Sequence, residues 1–365
     1  MTATPTPDTA TTKVRKFPCE GCGADVRWDP GAHALKCPYC GREKQLVAQT
    51  GVAERPVEAA LREPRDFGWG AERKMVSCNR CGAHTTLAPN VAAASCPFCG
   101  TAAVVEAPPN AAVVRPEGLL PFQVTDHQAR EQFRGWLASL WFRPNDLKAQ
   151  GSLTRLQGVY VPFWTFDAAT HSSWTAMAGY HYYVNVDVRE NGQTVTRREQ
   201  RTRWEPASGI VDLAFDDVPV PASRGLDQEL SRAIEPFPTS KLIEYEPSYL
   251  SGFLAEENAI DLAEALETAK ERMRGDIRNA CIRKIPGDTY RDLEVKTTFS
   301  ALAYKNALLP IWIAAYDYAG KPYRYIVNGV TGTASGTAPW SWVKIGLAIM
   351  AVLLIVLIVM IAKSQ

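Results

Sequence analysis

Residues 19–41, CEGCGADVRWDPGAHALKCPYCG, return at residues 78–100 as CNRCGAHTTLAPNVAAASCPFCG, with one C-x2-C-x14-C-x2-C spacing in both. Cys19, Cys22, Cys37 and Cys40 form the first set, and Cys78, Cys81, Cys96 and Cys99 the second. A glycine follows the second cysteine of each pair (Gly23, Gly41, Gly82, Gly100), where a positive φ turns backbone N–H groups towards sulfur. Four thiolates so placed close a tetrahedron. A segment of roughly two dozen residues cannot bury a sufficient core, and a zinc ion, worth roughly 10–16 kcal/mol apparent in such peptides, substitutes for one. Redox dithiols and a rubredoxin-like iron site are the alternatives. Two copies of one spacing argue against chance, and the short loop argues against iron. All eight thiolates belong to complete shells, so the expectation is two structural Zn2+ ions per chain that do not activate water. His33 and His84 lie at non-equivalent places in the loops and read as surface residues. Cys281 falls near the apolar face of a later helix and reads as a packed thiol.

The 365 residues are 46% apolar and 22% charged, the mixture of a folded protein, and 40 basic against 39 acidic side chains leave a formal charge of +1. No global field draws such a chain to nucleic acid or anionic lipid. The start, MTATPTPDTATTKVRK, lacks the apolar core of a signal peptide, so the reading is a cytosolic start with reduced, metal-binding cysteines. No phosphate-binding loop, dinucleotide fingerprint, nucleophile elbow or H-E-x-x-H occurs, and the five histidines do not cluster along the chain. The expectation is a protein that is not an enzyme; the rival places a site around Trp164–Asp167.

At the other end, residues 345–362, IGLAIMAVLLIVLIVMIA, run without a charge. As a helix they reach about 27 Å, nearly a ~30 Å hydrocarbon layer. Their twelve Leu, Ile and Val residues supply about −4 to −7 kcal/mol on the insertion scale. Trp340 and Trp342 sit where an interfacial belt would, and Lys344 and Lys363 can snorkel. The reading is a tail anchor over 343–363 in a bacterial cytoplasmic membrane, crossed once, with everything before it in the cytoplasm.

Between these ends the sequence divides as follows: a disordered leader over 1–16, ribbons at 17–42 and 76–101, a connector at 43–75 that is helical around Ala59, and a Pro-rich linker at 102–118. An α+β domain fills 119–333, and 334–342 link it to the anchor. Within the domain, Ala129, Phe133, Trp136, Leu137, Leu140 and Trp141 recur at helical spacing, capped by Thr125 or Asp126, with an end expected at Arg143. A period of two then takes over, with Asn191-Gly192 as a hairpin turn and Tyr180, Tyr182, Val184, Val186 and Val188 on one face. A broken, Pro-rich stretch is expected from about 205 to 257. A long helix with Leu262, Leu266, Met273 and Ile277 inside follows, then more strands. Helix followed by VYVPFW echoes helix followed by LLPIWI, which suggests a duplicated unit.

The ribbons carry a weak excess of positive charge, thirteen Lys and Arg against ten Asp and Glu from Lys13 to Ala107, which favours protein over phosphate as a partner. The one concentrated basic stretch is TVTRREQRTRW, where Arg197, Arg201 and Arg203 share a face. It reads as a solvated hairpin face, with lipid headgroups or an acidic partner as alternatives.

The ribbon pair, the block from Leu120 to Asp167 (LPF through WFRPNDLK to GVYVPFWTFD) and the closing block from Leu308 to Ile345 (LLPIWIAAYDYAGKPYRYIVNGVTGTASGTAPWSWVKI) resemble a bacterial family of membrane-tethered double zinc-ribbon proteins. Its members are often catalogued as relatives of the primosomal replication-restart helicase or as TFIIB-type zinc-ribbon proteins. A helicase motor needs a phosphate loop, which this chain lacks. The resemblance implies a non-enzymatic adaptor that places SPFH (band 7) or phage-shock-like membrane-stress proteins at the membrane. The alternative is a membrane-tethered nucleic-acid-binding protein.

Overall fold

The computed structural model describes residues 17–62, 75–86, 96–101, 104–107, 114–144, 147, 156–190, 193–318 and 321–364. The leader, Phe67 and Trp69 of the connector, and the Asn191-Gly192 turn lie outside the described residues.

In chain order, the first ribbon contains β1 (Arg27–Asp29), β2 (Ala34–Lys36) and β3 (Glu43–Lys44), a three-stranded antiparallel sheet. The connector supplies β4 (Arg55–Pro56) and the one-turn helix α1 (Val57–Arg62), the latter where sequence placed it. The second ribbon is β5 (Met75–Cys78), β6 (His84–Thr86) and β7 (Val104–Ala107). Then come β8 (Gly118–Leu119), α2 (Asp126–Ser139), β9 (Leu156–Glu190) and β10 (Gln193–Pro221). They are followed by α3 (Gln228–Ala233), β11 (Ile243–Glu244), β12 (Leu254–Ala255) and α4 (Leu262–Ile282). The chain closes with β13 (Thr289–Tyr318), β14 (Lys321–Asn328), β15 (Ala334–Gly336) and α5 (Trp342–Ser364). Mixed helix and sheet, two four-cysteine clusters and one apolar helix are what sequence anticipated.

The main sheet runs β10-β9-β13-β14-β15. Its three longest strands have 35, 29 and 30 residues. At ~3.3 Å per residue such strands reach about 100 Å, so the sheet extends well past any single core. β9 and β10 pair from Gln193↔Glu190 to Pro221↔Phe163, with one bulge between Phe215 and Val218. The expected broken stretch therefore begins later than sequence suggested, because residues 205–221 continue β10. Its prolines 206, 219 and 221 are tolerated because β10 is an edge strand, which can forgo ladder donors.

Two prolines also sit in the central strands, and each lies where its strand changes neighbour. β9 pairs with β12 in parallel at Val159 and Tyr160, then with β10 from Phe163; Pro162 lies between. β13 pairs with β8 in parallel at Ala307 and Leu308, then with β14 from Ile311; Pro310 lies between. One arrangement thus occurs twice: short strand, helix, long strand, hairpin partner. Residues 120–125 join β8 to α2, and residues 256–261 join β12 to α4.

Alternation sends even-numbered residues of β9 to one face and odd-numbered residues to the other. Near the prolines both faces are buried. Tyr160, Leu308, Trp312 and Tyr325 lie in one core with Phe122 and with Phe133 and Leu137 of α2. Val161, Phe163, Leu309, Ile311 and Ile313 lie in the other with Leu230 and Ile234. Further along, Trp164, Phe166, Trp174 and Ala176 pack under α4 through Leu262, Leu266, Ala269, Met273 and Ile277, while the opposite face there carries exposed His171, Ser173 and Thr175. Gly209 lets α4's layer close, since a Cβ there would stand 2.7 Å from the Trp174 ring.

Helix ends follow local chemistry. Thr125 and Gln128 form a reciprocal capping box on α2, and Asp261 caps α4 through the Glu264 N–H at 2.9 Å. α2 stops at Ser139 instead of Arg143, which leaves Trp141 outside the helix. Pro144 disfavours helical backbone at Arg143, and the carbonyls of Trp141 and Phe142 bond to residues 344 and 341 beside α5. Met273, fully buried between α4 and the sheet, tests this packing: Met273→Ala should cost about 2–5 kcal/mol in chemical denaturation.

Candidate metal centres

Four copies of one turn build the two clusters. In each, the glycine N–H bonds back to the carbonyl of the pair's first cysteine, at 2.8 Å for Gly23, 3.0 Å for Gly41, and 2.9 Å for Gly82 and Gly100. All four glycines hold φ between +71 and +75°. The sulfurs converge: Cys19–Cys40, Cys22–Cys37, Cys78–Cys99 and Cys81–Cys96 are each 3.5 Å apart, and all four ligand atoms of a cluster lie within 4.8 Å of one another. That is far beyond a ~2.05 Å disulfide bond and close to the ~3.8 Å edge of a tetrahedron with ~2.3 Å metal–sulfur bonds. The geometry and the all-sulfur donor set fit two structural metal sites with no open position. All eight predicted ligands are brought together as sequence grouped them.

Four thiolates this close repel, so without a cation they share protons unequally. The Cys40 and Tyr39 N–H groups pull the Cys37 thiol down to about 6; Cys22, despite the lowering effect of the Ala24 N–H, is pushed up to about 12 by the Cys37 sulfur. In the second cluster the Cys96 thiol lowers Cys81 to about 5, while the Cys81 sulfur and burial push Cys96 up. A soft divalent cation removes this conflict by accepting all four thiolates.

Neither ribbon stands apart from the domain. The first docks on the even face of the sheet: the Trp28 indole donates to the Phe122 carbonyl at 2.9 Å, its ring lies 4.6 Å from Tyr249, and Cys19, Leu35 and Cys37 join that core. The second docks on the odd face, where Cys78, Cys96, Phe98 and Cys99 join the other core. Gly225 makes this approach possible, since a Cβ there would stand 2.8 Å from both Ala83 and Phe98. Corresponding aromatics of the two clips meet opposite fates. Phe98 is 1% exposed, whereas Tyr39 is 83% exposed, between the buried Cys37 and the exposed Cys40. His33 is exposed and His84 half-buried, its ring 3.4 Å from the Ser77 hydroxyl, so neither joins a cluster. Cys281, in the last turn of α4, is fully buried, and burial pushes its thiol up.

Two polar groups were not foreseen. Glu256 and Glu257, where β12 meets the second ribbon, are buried; Glu256 accepts from Ser223 at 2.8 Å, and the Glu257 N–H donates to the His84 carbonyl. Burial raises Glu256 well above the usual carboxylate range and Glu257 to about 7. The second group lies on the odd face beyond the ribbon. Carboxylate oxygens of Glu54, Asp167 and Asp216 come within 4.8 Å of one another, and Lys305 reaches Asp217 at 2.8 Å and Glu54 at 3.3 Å. Burial, then the Asp217 charge, raises Asp167 to about 6. Trp164–Asp167 is strand, not loop: Trp164 points into the aromatic core 5.7 Å from Tyr304, and Asp167 faces the acidic group. The Asp216-Asp217 doublet at the bulge was the one signal in the sequence, and its partners come from three other segments.

Arg197, Arg201 and Arg203 do share a face, opposite Val186, Tyr182 and Tyr180. Arg201 pairs with Glu199 and Arg203 with Glu205, so acidic residues partly offset the row.

Comparison with known proteins finds an extended similarity. The chain is 28% identical over 343 residues, 91% of its length and 92% of the other's, to a Bacillus subtilis (strain 168) protein named "Uncharacterized protein YdjG". No family model matches the chain. No solved structure matches it either.

Two outcomes test the site. Cys37→Ser and Cys96→Ser should each lower bound metal from two ions to one per chain by elemental analysis, and a chelator should strip the first cluster faster, since Cys22 and Cys40 are exposed. For Glu257, a folded-state pKa of about 7 lies above the unfolded value, so the carboxyl costs stability as pH rises through 4.5 to 7. Glu257→Gln should therefore raise the melting temperature above pH 7 and leave it unchanged below pH 4.5. An equal shift at both ends would contradict the assignment.

Proposed function

We propose that this chain is a non-enzymatic membrane-anchored adaptor, held by α5 and stiffened by two structural zinc ions. The observation that carries the reading is α5 itself. Trp342–Ala362 is 21 residues long, apolar enough to cross a bilayer, and covered by no other part of the chain among the described residues. A helix apolar on every side needs an apolar surround, and lipid supplies it. Free, clustered cysteines fit a reducing compartment, which puts the folded domain on the cytoplasmic side of a bacterial membrane with a single span. Closed tetrathiolate shells accept zinc or iron, and zinc is preferred here because the loop between the cysteine pairs is short for a rubredoxin-like site.

The exposed knuckle of the first ribbon is the partner-binding element in this reading. Tyr39 projects from it, while the second ribbon's knuckle is spent on the core. The family resemblance names SPFH (band 7) or phage-shock-like proteins as partners. A nucleic-acid role draws less support, since Arg201 and Arg203 are ion-paired and the formal charge is +1. The recurring strand–helix–strand–strand arrangement is read as a duplicated unit.

Fractionation and capture in mild detergent test the proposal together. The full chain should pellet with membranes and carry two zinc ions, and a chain ending before Trp342 should be soluble. Tyr39→Ala should release the captured partner while both zinc ions remain. A full chain that stays soluble would sink the reading.

A further inference from the structure

The three tryptophans that are exposed among the described residues lie in one place. Trp340 and Trp342 precede and open α5 at 58% and 78% exposure, and Trp141, which follows α2, is 78% exposed. Phe142 beside it is 41% exposed. Chain distance does not explain the grouping, because about two hundred residues separate the two segments; hydrogen bonds do. The Lys344 ammonium donates to the Trp141 carbonyl at 3.1 Å, and the Ser341 N–H donates to the Phe142 carbonyl at 2.9 Å. The Arg143 guanidinium stacks 3.6 Å over the Trp340 ring. The turn is thereby fixed at the level of α5's first residues.

We propose that the turn after α2, residues 140–144, is a second membrane contact, with Trp141 and Phe142 seated in the lipid headgroup layer beside the entry point of α5. This rests on the reading of α5 as a span. Three observations select a bilayer as the occupant. The patch is continuous with the apolar helix, it pairs indoles with cations (Arg143, Lys344) as interfacial belts do, and its backbone is tied to the helix at one depth. Tryptophan prefers this layer because its ring is apolar and its N–H finds polar partners. The consequence is orientational: one span alone lets the domain swivel, and a second contact holds α2 and the sheet edge with β15 against the membrane.

The experiment uses the full chain, zinc-loaded, in vesicles of phosphatidylcholine with a minority of phosphatidylglycerol, made with or without lipids brominated near the top of the acyl chain. Bromine quenches only tryptophans in contact with the lipid. Trp342→Phe reports on the span, Trp141→Phe on the turn, and Trp28→Phe, buried in the core, is the control. The quenchable emission should fall by roughly a third in each of the first two variants, as three indoles share it, and should not change in the third. If Trp342→Phe lowers it and Trp141→Phe does not, the second contact is wrong and the span stands. A Trp141 shielded from aqueous acrylamide yet unquenched by bromolipid would assign the turn to a protein interface and overturn the proposal in the same way. If neither variant changes the quenching, the span reading fails and takes the contact with it.

Discussion

The β9–β13 pair is apolar on both faces near Pro162 and Pro310, and a sheet of that kind must be covered twice. Two helices usually do this. Here each face also receives a cysteine clip, and the dependence runs both ways. A ribbon of some two dozen residues has no adequate core of its own, and the sheet lends it one through Trp28 on one side and Phe98 on the other. The sheet in turn is sealed by segments whose shape four thiolates impose. Ligation chemistry and hydrophobic burial are therefore one cooperative unit.

Past the ribbons the sheet changes character. The even face stays apolar because α4 covers it, and small residues (Ala265, Ala269, Ala280) let that helix lie close. The odd face carries the acidic group around the buried Lys305 next to the ribbon, with Glu54 of the connector against it, and then turns to exposed His171, Ser173 and Thr175. Beyond α4 the β9–β10 ribbon continues alone, with Tyr180, Tyr182, Val184 and Val186 facing the arginine row. Long arginine stems can lie across such rings and valines, which lets a two-stranded arm remain extended without a core beneath it.

Local patterns were legible in the sequence and distant encounters were not. The cysteine spacing, the capped helices, the buried positions of α4 and the apolar stretch of α5 are each written within one segment, where spacing maps directly to geometry. Ribbon docking was not legible, because Trp28 and Phe98 look alike as aromatic residues in short strands and loops; what distinguishes their settings is Phe122 and Gly225, far along the chain. The run of β10 to Pro221 was missed because its prolines read as breaks, and only its place at the sheet edge makes them harmless. The early end of α2 has the same origin, since residues 341 and 344 capture the backbone that helical periodicity had claimed.

The prolines also limit how the two long strands can move. A strand that exchanges one neighbour for another has a residue whose N–H faces neither partner, and proline fills that position without leaving a donor unpaired. Pro162 and Pro310 occupy equivalent places, so both exchanges occur side by side at the centre of the doubly covered region. Slipping β9 by one residue against β13 would turn Pro162 towards a ladder that requires a donor and would exchange the faces that β9 presents to the two ribbons. Register, proline placement and the two cysteine clips therefore exclude the same alternatives, and the arm beyond them inherits its register from this point.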